Sequence, residues 1–397
     1  MNKLILFAML SCVALFGQDT RAGAIDAARA QKEQTLEPPE EPGLEEVIVR
    51  AQGNLIYRLL TSTDRFGIGL GQMVPGAGFS AGPRYQRTLL NDHLHFAAIA
   101  KGSTKKYYLG RLAANAVGLN GHALLDFATT HYDYPQMPYY GPGPESRKTG
   151  RSDYRLENTK VEIRPAFSPV KGLRIGALGS FMAINVGRGT ASQFISTDQQ
   201  YGPSAAPGIQ QQTSYLEGGG FVEFDWRDRP GDPTNGGLYR AEYAKLSDRD
   251  VGLYSFYRLN LEAKQFIPLF NGKRVIALHG ETWLTDTNSS QIVPFYMQPT
   301  LGGPDTMRGF EPFRFYDNNA VLIQGEYRWE ASTVLDLAVF ADGGKVFHDW
   351  EQWNLHRLES TVGFGLRIKT LSTVAFRIDT GFSHEGFKIW FRAENPF

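Results

Sequence analysis

The stretch TVLDLAVFADGGKVF, residues 333–347, decides the fold because its residue types alternate with a period of two. One face of such a strand carries Leu335, Leu337, Val339 and Ala341, and the other carries Asp336, Ala338, Phe340 and Asp342. Residues 321–330 and 255–264 repeat the pattern with charged residues on the polar face. These segments are predicted to be β-strands with one apolar face. In a soluble sandwich that face would meet a second sheet, whereas in a wide barrel it would meet lipid.

Sixteen strands are predicted in all, and the connections between them separate the two alternatives. The predicted strands are 64–72, 77–85, 94–100, 106–114, 121–132, 154–167, 173–185, 215–228, 237–246, 254–267, 274–285, 320–330, 334–347, 360–368, 373–382 and 387–392. The long connections, 133–153, 186–214, 286–319 and 348–359, follow odd-numbered strands, and the tight ones, 168–172, 268–273, 331–333 and 370–372, follow even-numbered strands. Long loops on one rim and short turns on the other are typical of an outer-membrane barrel. The predicted fold is all-β, a 16-stranded antiparallel transmembrane β-barrel of the bacterial outer membrane.

The chain is predicted to be exported. Residues 1–24 have the pattern of a signal peptide, in which Lys3 precedes an apolar stretch and Ala22-Gly23-Ala24 forms the cleavage site. A lipoprotein cleavage before Cys12 is an alternative, but the apolar stretch before it is short. Residues 25–63 form a leader rich in Glu and Pro, and residues 64–397 form the barrel. Beyond the signal peptide no apolar run is long enough for a membrane-spanning helix.

Composition excludes several classes of function. Aromatic residues make up 13% of the chain, as expected for the interfacial girdles of a barrel. The formal net charge is zero, so no electrostatic argument supports nucleic acid as a partner. Cys12 is the only cysteine and would leave with the signal peptide, which excludes disulfides and thiol chemistry. No GxSxG motif or phosphate loop is present, and His93 and His95 lack the spacing of a metal site, so neither cofactor nor metal is predicted.

Three local motifs stand out in the second half of the chain. LGGPDTMRGF, residues 301–310, lies within the longest connection. GEYRW at 325–329 precedes FADGG at 340–344 on the next strand. DWRD at 225–228 precedes a stretch rich in Pro and Gly between strands eight and nine. Together these motifs resemble the C-terminal barrel of the BamA/TamA family, outer-membrane proteins of the bacterial surface antigen type that insert or translocate other proteins.

The resemblance implies that the loop after strand eleven, which carries Met307, Arg308, Gly309 and Phe310, folds back into the lumen. Independently of the family, an arginine lowered into a lumen needs anionic partners. Glu326 and Asp342 point inward by the alternation and lie on adjacent strands, so they are the predicted partners. Gly309 would allow a tight turn and Phe310 would pack against the wall. The alternative is an arginine solvated at the surface.

Two further groups of residues are assigned from the sequence. Asp225, Arg227 and Asp228 are predicted to serve turn chemistry. The family has a lateral gate between its first and last strands, and here Gly67, Gly69 and Gly71 would weaken strand one. The terminal Phe397 resembles the aromatic end by which barrels are recognised for assembly, and it is assigned to the same seam. The alternative for Gly67 and Gly69 is that they only fit the curvature of the wall.

The predicted function is therefore that of a non-enzymatic outer-membrane barrel that inserts or translocates proteins through a plugged lumen and a lateral gate. Family members usually carry periplasmic POTRA domains, for which a leader of about 38 residues is too short. The expected partners are outer-membrane lipid, an unidentified client or cargo protein and a periplasmic accessory protein. The alternatives are a passive pore or structural barrel, a lipid hydrolase, for which no clear Ser and His pair is present, and a TonB-binding segment at EEVIV, residues 45–49.

Overall fold

The computed structural model describes residues 65–71, 73–270, 272–369, 374–392 and 397, except for the side chains of Arg65, Leu119 and Ala375. All of these residues belong to one compact unit, Leu55–Phe397. Sixteen of its strands form the wall of a barrel: β1 (Arg65–Gly71), β2 (Ser80–Leu89), β3 (Leu94–Ser103), β4 (Tyr108–Gly118), β5 (Ala123–Tyr139), β6 (Ser152–Phe167), β7 (Leu173–Arg188), β8 (Thr213–Asp225), β9 (Gly236–Asp248), β10 (Phe256–Leu269), β11 (Arg274–Asp286), β14 (Asn319–Ser332), β15 (Leu335–Phe347), β16 (Glu359–Lys369), β17 (Val374–Ser383) and β18 (Gly386–Arg392). Two further strands, β12 (Thr300–Leu301) and β13 (Phe315–Tyr316), pair with each other inside the loop after β11.

The wall is a single antiparallel sheet in which each strand pairs with its sequence neighbours in the wall, so the predicted fold and strand number are confirmed. The barrel is nearly closed. At its two ends β1 pairs with β2 and β18 pairs with β17, and within the described residues no ladder joins β1 to β18. The seam between these two strands is therefore unsealed.

Three predicted strand limits were wrong for identifiable reasons. β2 begins later than predicted because Gly76 and Gly78 have positive φ angles and turn the chain first. β5 extends to Tyr139 through two prolines: a register shift between Tyr134 and Met137 accommodates Pro135, and Pro138 pairs with Asp153 beyond it. β8 ends at Asp225 rather than at residue 228, because a turn begins there in which the Asp228 carboxylate accepts a hydrogen bond from the Thr234 amide.

The long connections follow the wall strands β5, β7, β11 and β15, as predicted, and they lie on one rim. They contain only short helices: α1 (Thr197–Gln200) and 3-10 turns at Lys148–Gly150, Phe295–Met297 and Trp350–Gln352, with a further turn at Leu119–Gly121 on the opposite rim. Among the helices of the described residues, none has the length and apolar character needed to cross a membrane. The predicted signal peptide, the leader and EEVIV lie outside the described residues.

The two faces of the wall have opposite character. Outward side chains are large, apolar and exposed, for example Val339, Val362 and Phe364. Inward side chains are polar and joined by ion pairs such as Arg164–Glu242, at 2.9 Å. An apolar exterior around a polar interior is the pattern of a transmembrane barrel, because lipid surrounds the wall. The alternation seen in residues 333–347 is therefore an alternation between lipid and lumen.

A cluster of buried aromatic side chains, here called the rim cluster, fills the barrel at the rim that carries the long loops. It joins ends of β5 to β10 to two of these loops, and its members include Tyr139, Tyr154, Tyr215, Phe256, Ile209, Phe295 and Tyr316. Edge-to-face contacts hold it together, with ring centroids of Tyr139 and Tyr316 5.0 Å apart. The rim cluster thus packs side chains of two long loops against the strand ends on that side.

Candidate functional site in the lumen

The loop between β11 and β14 descends into the lumen and carries the MRGF motif at its tip. β12 and β13 form its stem, and Gly302 and Gly303 start the turn with φ angles of 113° and 104°, which favour glycine. The Thr306 hydroxyl accepts a hydrogen bond from the Gly302 amide at 2.9 Å. Residues 304–312, here called the plug loop tip, follow this turn, and Met307, Arg308 and Phe310 are fully buried.

Arg308 lies between the two carboxylates predicted from the sequence. Its Nε and Nη2 donate to the two oxygens of Asp342 at 3.0 and 2.6 Å, and Nη1 donates to Glu326 at 2.7 Å. Its backbone amide also donates to Asp342, at 3.0 Å. The guanidinium stacks on Phe340, 3.3 Å from the ring centroid. Burial alone would lower the pKa of Arg308, but Asp342 and Glu326 raise it overall, so the side chain stays charged.

A buried network of ion pairs extends from this site across β14 to β17. Glu326 accepts from Arg328 at 3.0 Å and from Arg367 at 2.9 Å. Arg367 also donates to Asp379 at 2.6 Å, and Arg377 lies 3.1 Å from the same carboxylate. Hydrogen-bonded networks of buried charges are rigid because each partner that leaves exposes another charge. The plug loop tip is therefore anchored to four adjacent strands.

The other residues of the motif fit tightly against the wall. Met307 and Phe310 join an apolar cluster with Leu301, Phe315, Ala320, Leu322 and Val346. The Gly309 amide donates to the Thr361 hydroxyl at 3.1 Å, and an added Cβ at Gly309 would lie 2.8 Å from that oxygen. Only glycine fits this position without displacing the wall.

The plug loop tip also binds the last strand, which the sequence reasoning missed. Trp390 Nε1 donates to the Arg308 carbonyl at 2.7 Å, Lys388 pairs with Glu311, and Arg392 pairs with Asp305 at 2.8 Å. The alternation of FKIWFR, residues 387–392, could have marked these side chains as inward, because Phe387, Ile389 and Phe391 are strongly exposed. No local signal could have named the loop as their partner.

The seam residues assigned from the sequence do not all lie together. Gly67, Gly69 and Gly71 lie on β1, and an added Cβ at Gly69 would lie 2.7 Å from Ile99. Phe397, however, is buried against β10 and β11, and its ring stacks on His279 with centroids 5.1 Å apart. This corrects its assignment to the seam. The ring also covers the Arg328 guanidinium, at 5.6 Å from the ring centroid, and it is shielded from solvent among apolar side chains of the wall.

The DWRD residues form a turn away from the plug loop. Arg227 makes a bidentate contact with Asp225 at 2.9 and 2.8 Å, and Asp228 accepts from the backbone amides of Thr234 and Asn235 at 2.9 and 3.1 Å. The two histidines that were not expected to bind metal are also separate from it: His93 lies in the β2–β3 turn and His95 lies on β3.

Comparison with known proteins agrees with this geometry. The model of the Omp85 superfamily domain matches residues 158–386, which is more than half of the chain. The chain belongs to the Omp85 superfamily. The resemblance found in the sequence is thereby confirmed, and as an Omp85 barrel the protein is integral to the bacterial outer membrane. Omp85 barrels are transporters and insertases rather than enzymes.

Solved structures share the fold. BamA from Haemophilus ducreyi lacking POTRA domains 1–3 has a TM-score of 0.61 at 15% identity, covering 83% of this chain and 69% of that one. CdiB from Escherichia coli has a TM-score of 0.54 and CdiB from Acinetobacter baumannii 0.50, each at 12% identity and over 83% of this chain. The match covers 62% and 60% of those two chains, less than two thirds of their length. Curated protein sequences give no match.

Proposed function

We propose that this Omp85 barrel inserts or translocates client proteins, with the plug loop tip closing the lumen and the seam between β1 and β18 acting as a lateral gate. The observation that carries the proposal is the set of contacts between the plug loop tip and β18. Lys388, Trp390 and Arg392 are three alternate inward side chains of that strand, and each of them binds the tip. One element thus contacts both the ion-pair network of the wall and an edge of the seam.

Occlusion of the lumen favours this function over free diffusion. The rim cluster caps one end, and the plug loop tip, with its fully buried Arg308, fills space further in. A passive pore needs an open aqueous path, whereas an exit through the wall needs a separable pair of strands. For a client protein, the seam between β1 and β18 is therefore a better candidate exit than a path through the lumen along the barrel axis.

The two edges of the seam differ in how they are held. β18 is tied to the plug loop tip by the contacts above, whereas β1 carries Gly67, Gly69 and Gly71 on its inward face and these offer no side-chain donor or acceptor. An edge strand whose backbone groups are unpaired can accept another strand. β1 is accordingly the edge that we expect to move and to receive a client strand, while β18 stays with the loop.

Locking the seam tests the proposal. Cysteine pairs are placed at outward positions, one from Ile68 or Leu70 on β1 and one from Ile389 or Phe391 on β18, and are oxidised in cells. We expect the same outer-membrane proteins to fall in amount as when the protein is depleted, and a reductant to restore them. A disulfide between Gln86 and Ala97, which already face each other on β2 and β3, is the matched control.

A passive pore or structural barrel gives the opposite result. In that case the locked seam leaves the outer-membrane protein profile and the growth of the cells unchanged, although depletion changes them. Efficient cross-linking with full retention of function would therefore refute the gate. The outer-membrane proteins that fall in amount on depletion are the candidate clients. Measuring whether those proteins are exposed at the cell surface distinguishes insertion from translocation.

A further inference from the structure

A second cluster of chemically active side chains lies on the inward face of β10 and β11, beside the plug network. Glu262 faces Glu281 directly across the ladder, and His279 is the neighbouring inward residue on β11. One ligand atom from each of the three lies within 4.8 Å of the others, and in the part of the chain that the structure describes no other such group occurs. Because the residues come from two strands, their spacing carries no sequence motif.

The hydrogen bonds around His279 determine which ring nitrogen carries the proton. Gln324 uses its amide nitrogen to donate to the Thr306 carbonyl at 2.6 Å and to Asp342 at 3.2 Å. Its oxygen therefore faces His279, whose Nδ1–H donates to it at 2.8 Å. In the neutral ring, Nε2 is then left with a lone pair.

That lone pair points at two carboxylates. Nε2 lies 3.3 Å from Glu262 and 3.7 Å from Glu281, without a hydrogen bond to either, although the ring is only 5% exposed. Lys264 neutralises one carboxylate, at 2.8 Å from Glu262 Oε1, and Asn260 donates to Glu281 Oε1 at 2.9 Å. Two like charges directly across a ladder are unfavourable. Lys264 is one cation for two carboxylates, so the cluster keeps a net negative charge, and the His279 Nε2 lone pair faces it without a partner.

We infer that Glu262, His279 and Glu281 bind a divalent transition-metal ion, of which Zn²⁺ is the representative. One imidazole and two carboxylates form a ligand set of the kind that such ions take in proteins, with bonds of about 2 Å. Gln324 on the remote nitrogen of the histidine and Asn260 on the second carboxylate are the outer partners that orient such ligands. The ion would link β10 to β11 and, through Gln324, reach the strand that carries Glu326. This site is independent of whether the protein moves clients.

Metal content of the intact protein tests the inference. The full chain without an affinity tag is purified in detergent, stripped with EDTA, dialysed against micromolar Zn²⁺ and analysed by mass spectrometry of the metal. We expect one zinc per chain in the wild type, and Co²⁺ should give visible absorption bands of a histidine and carboxylate site. His279→Ala and Glu281→Gln should each weaken binding at least tenfold, because outer-shell changes alone typically cost 10- to 100-fold.

The control is His131→Ala, which removes a histidine on β5 whose Nδ1 hydrogen-bonds to the Thr159 hydroxyl at 2.8 Å. It should bind zinc like the wild type. Folding of each variant is judged by the migration of unheated protein in SDS. If loss of the His279 ring impairs folding, Glu281→Gln provides the second variant. Equal zinc binding by the wild type and Glu281→Gln, or equal loss in His131→Ala, would overturn the site.

Discussion

At the scale of single residues, the Arg308 side chain is tightly held in the lumen. It is fully buried and has carboxylates on both sides, Glu326 and Asp342, each with no exposed side-chain surface. Removing one partner of a buried ion pair typically costs about 3–5 kcal/mol, because the remaining charge has no solvent. If the Arg308 side chain were removed, Glu326 would still pair with Arg328 and Arg367, but Asp342 would lose its bidentate partner.

We therefore expect Arg308→Ala to lower the temperature at which the folded barrel survives in SDS and to raise its conductance in planar bilayers. Arg308→Lys should fall between the wild type and Ala, because an ammonium keeps the charge but cannot form the fork-shaped contact. Arg188→Ala is the control, since Arg188 pairs with Asp198 at an exposed site where ion pairs contribute about 0–1 kcal/mol. Unchanged melting and conductance in Arg308→Ala would contradict the assignment of Arg308 as the anchor of the plug loop tip.

Trp390 offers a finer test, because only one hydrogen bond needs to be removed. Trp390→Phe keeps an aromatic ring but loses the donor to the Arg308 carbonyl, a contact for which about 1 kcal/mol is typical. We expect faster proteolysis of the plug loop tip and greater accessibility of a cysteine placed at Ile389. Trp226→Phe, on a ring that packs at a tilt against Phe224 and Tyr239, should change neither measurement. If both variants behave alike, the Trp390 hydrogen bond does not hold the tip against β18.

At the scale of elements, the plug loop tip fits against β17 because Gly381 on that strand has no side chain to block it. An added Cβ at Gly381 would lie 2.6 Å from the Arg308 carbonyl carbon and oxygen, far inside van der Waals contact. Gly381→Ala should therefore displace the tip and increase conductance while leaving strand content unchanged by circular dichroism. Gly280→Ala on β11, where nothing lies within 4 Å of the added carbon, is the matched control and should be neutral or slightly stabilising. A silent Gly381→Ala would show that the tip is not seated against β17.

Elements with a strong period of two could be predicted from the sequence, and those without it could not. β15 and β14 were found because lipid and lumen impose opposite residue types on alternate positions. β12 and β13 were missed because two-residue strands show no period. The start of β2 was predicted too early, because the glycine-containing turn before it resembles a strand in hydropathy.

The site itself was only partly within reach of the sequence. Arg308, Glu326 and Asp342 could be paired because alternation assigns each to the lumen and two adjacent strands carry the acids. The bond from Trp390 to Arg308 spans 82 positions, and no local pattern encodes it. Phe397 was misplaced because a terminal aromatic has no period from which its direction could be inferred.

At the scale of the whole molecule, the lumen is expected to conduct poorly until the plug loop tip is removed. Replacing residues 304–311 by two glycines deletes Arg308 and Phe310 together and should open a wide, polar path bounded by the inward ion pairs. The measurement is single-channel conductance in planar bilayers, with shortening of the exposed segment 353–357 as the control. If the deletion conducts no better than the control, the rim cluster alone closes the barrel.

The seating of Arg308 also has a consequence for the order in which the protein is built. Its side-chain partners lie on β14 and β15, whereas its carbonyl is bound by Trp390 on β18, the wall strand that comes last along the chain. The tip cannot complete its contacts until β18 has joined the wall, so docking of the tip follows completion of the wall. Refolding into lipid should accordingly proceed in two observable steps, strand formation first and protection of the tip from protease second.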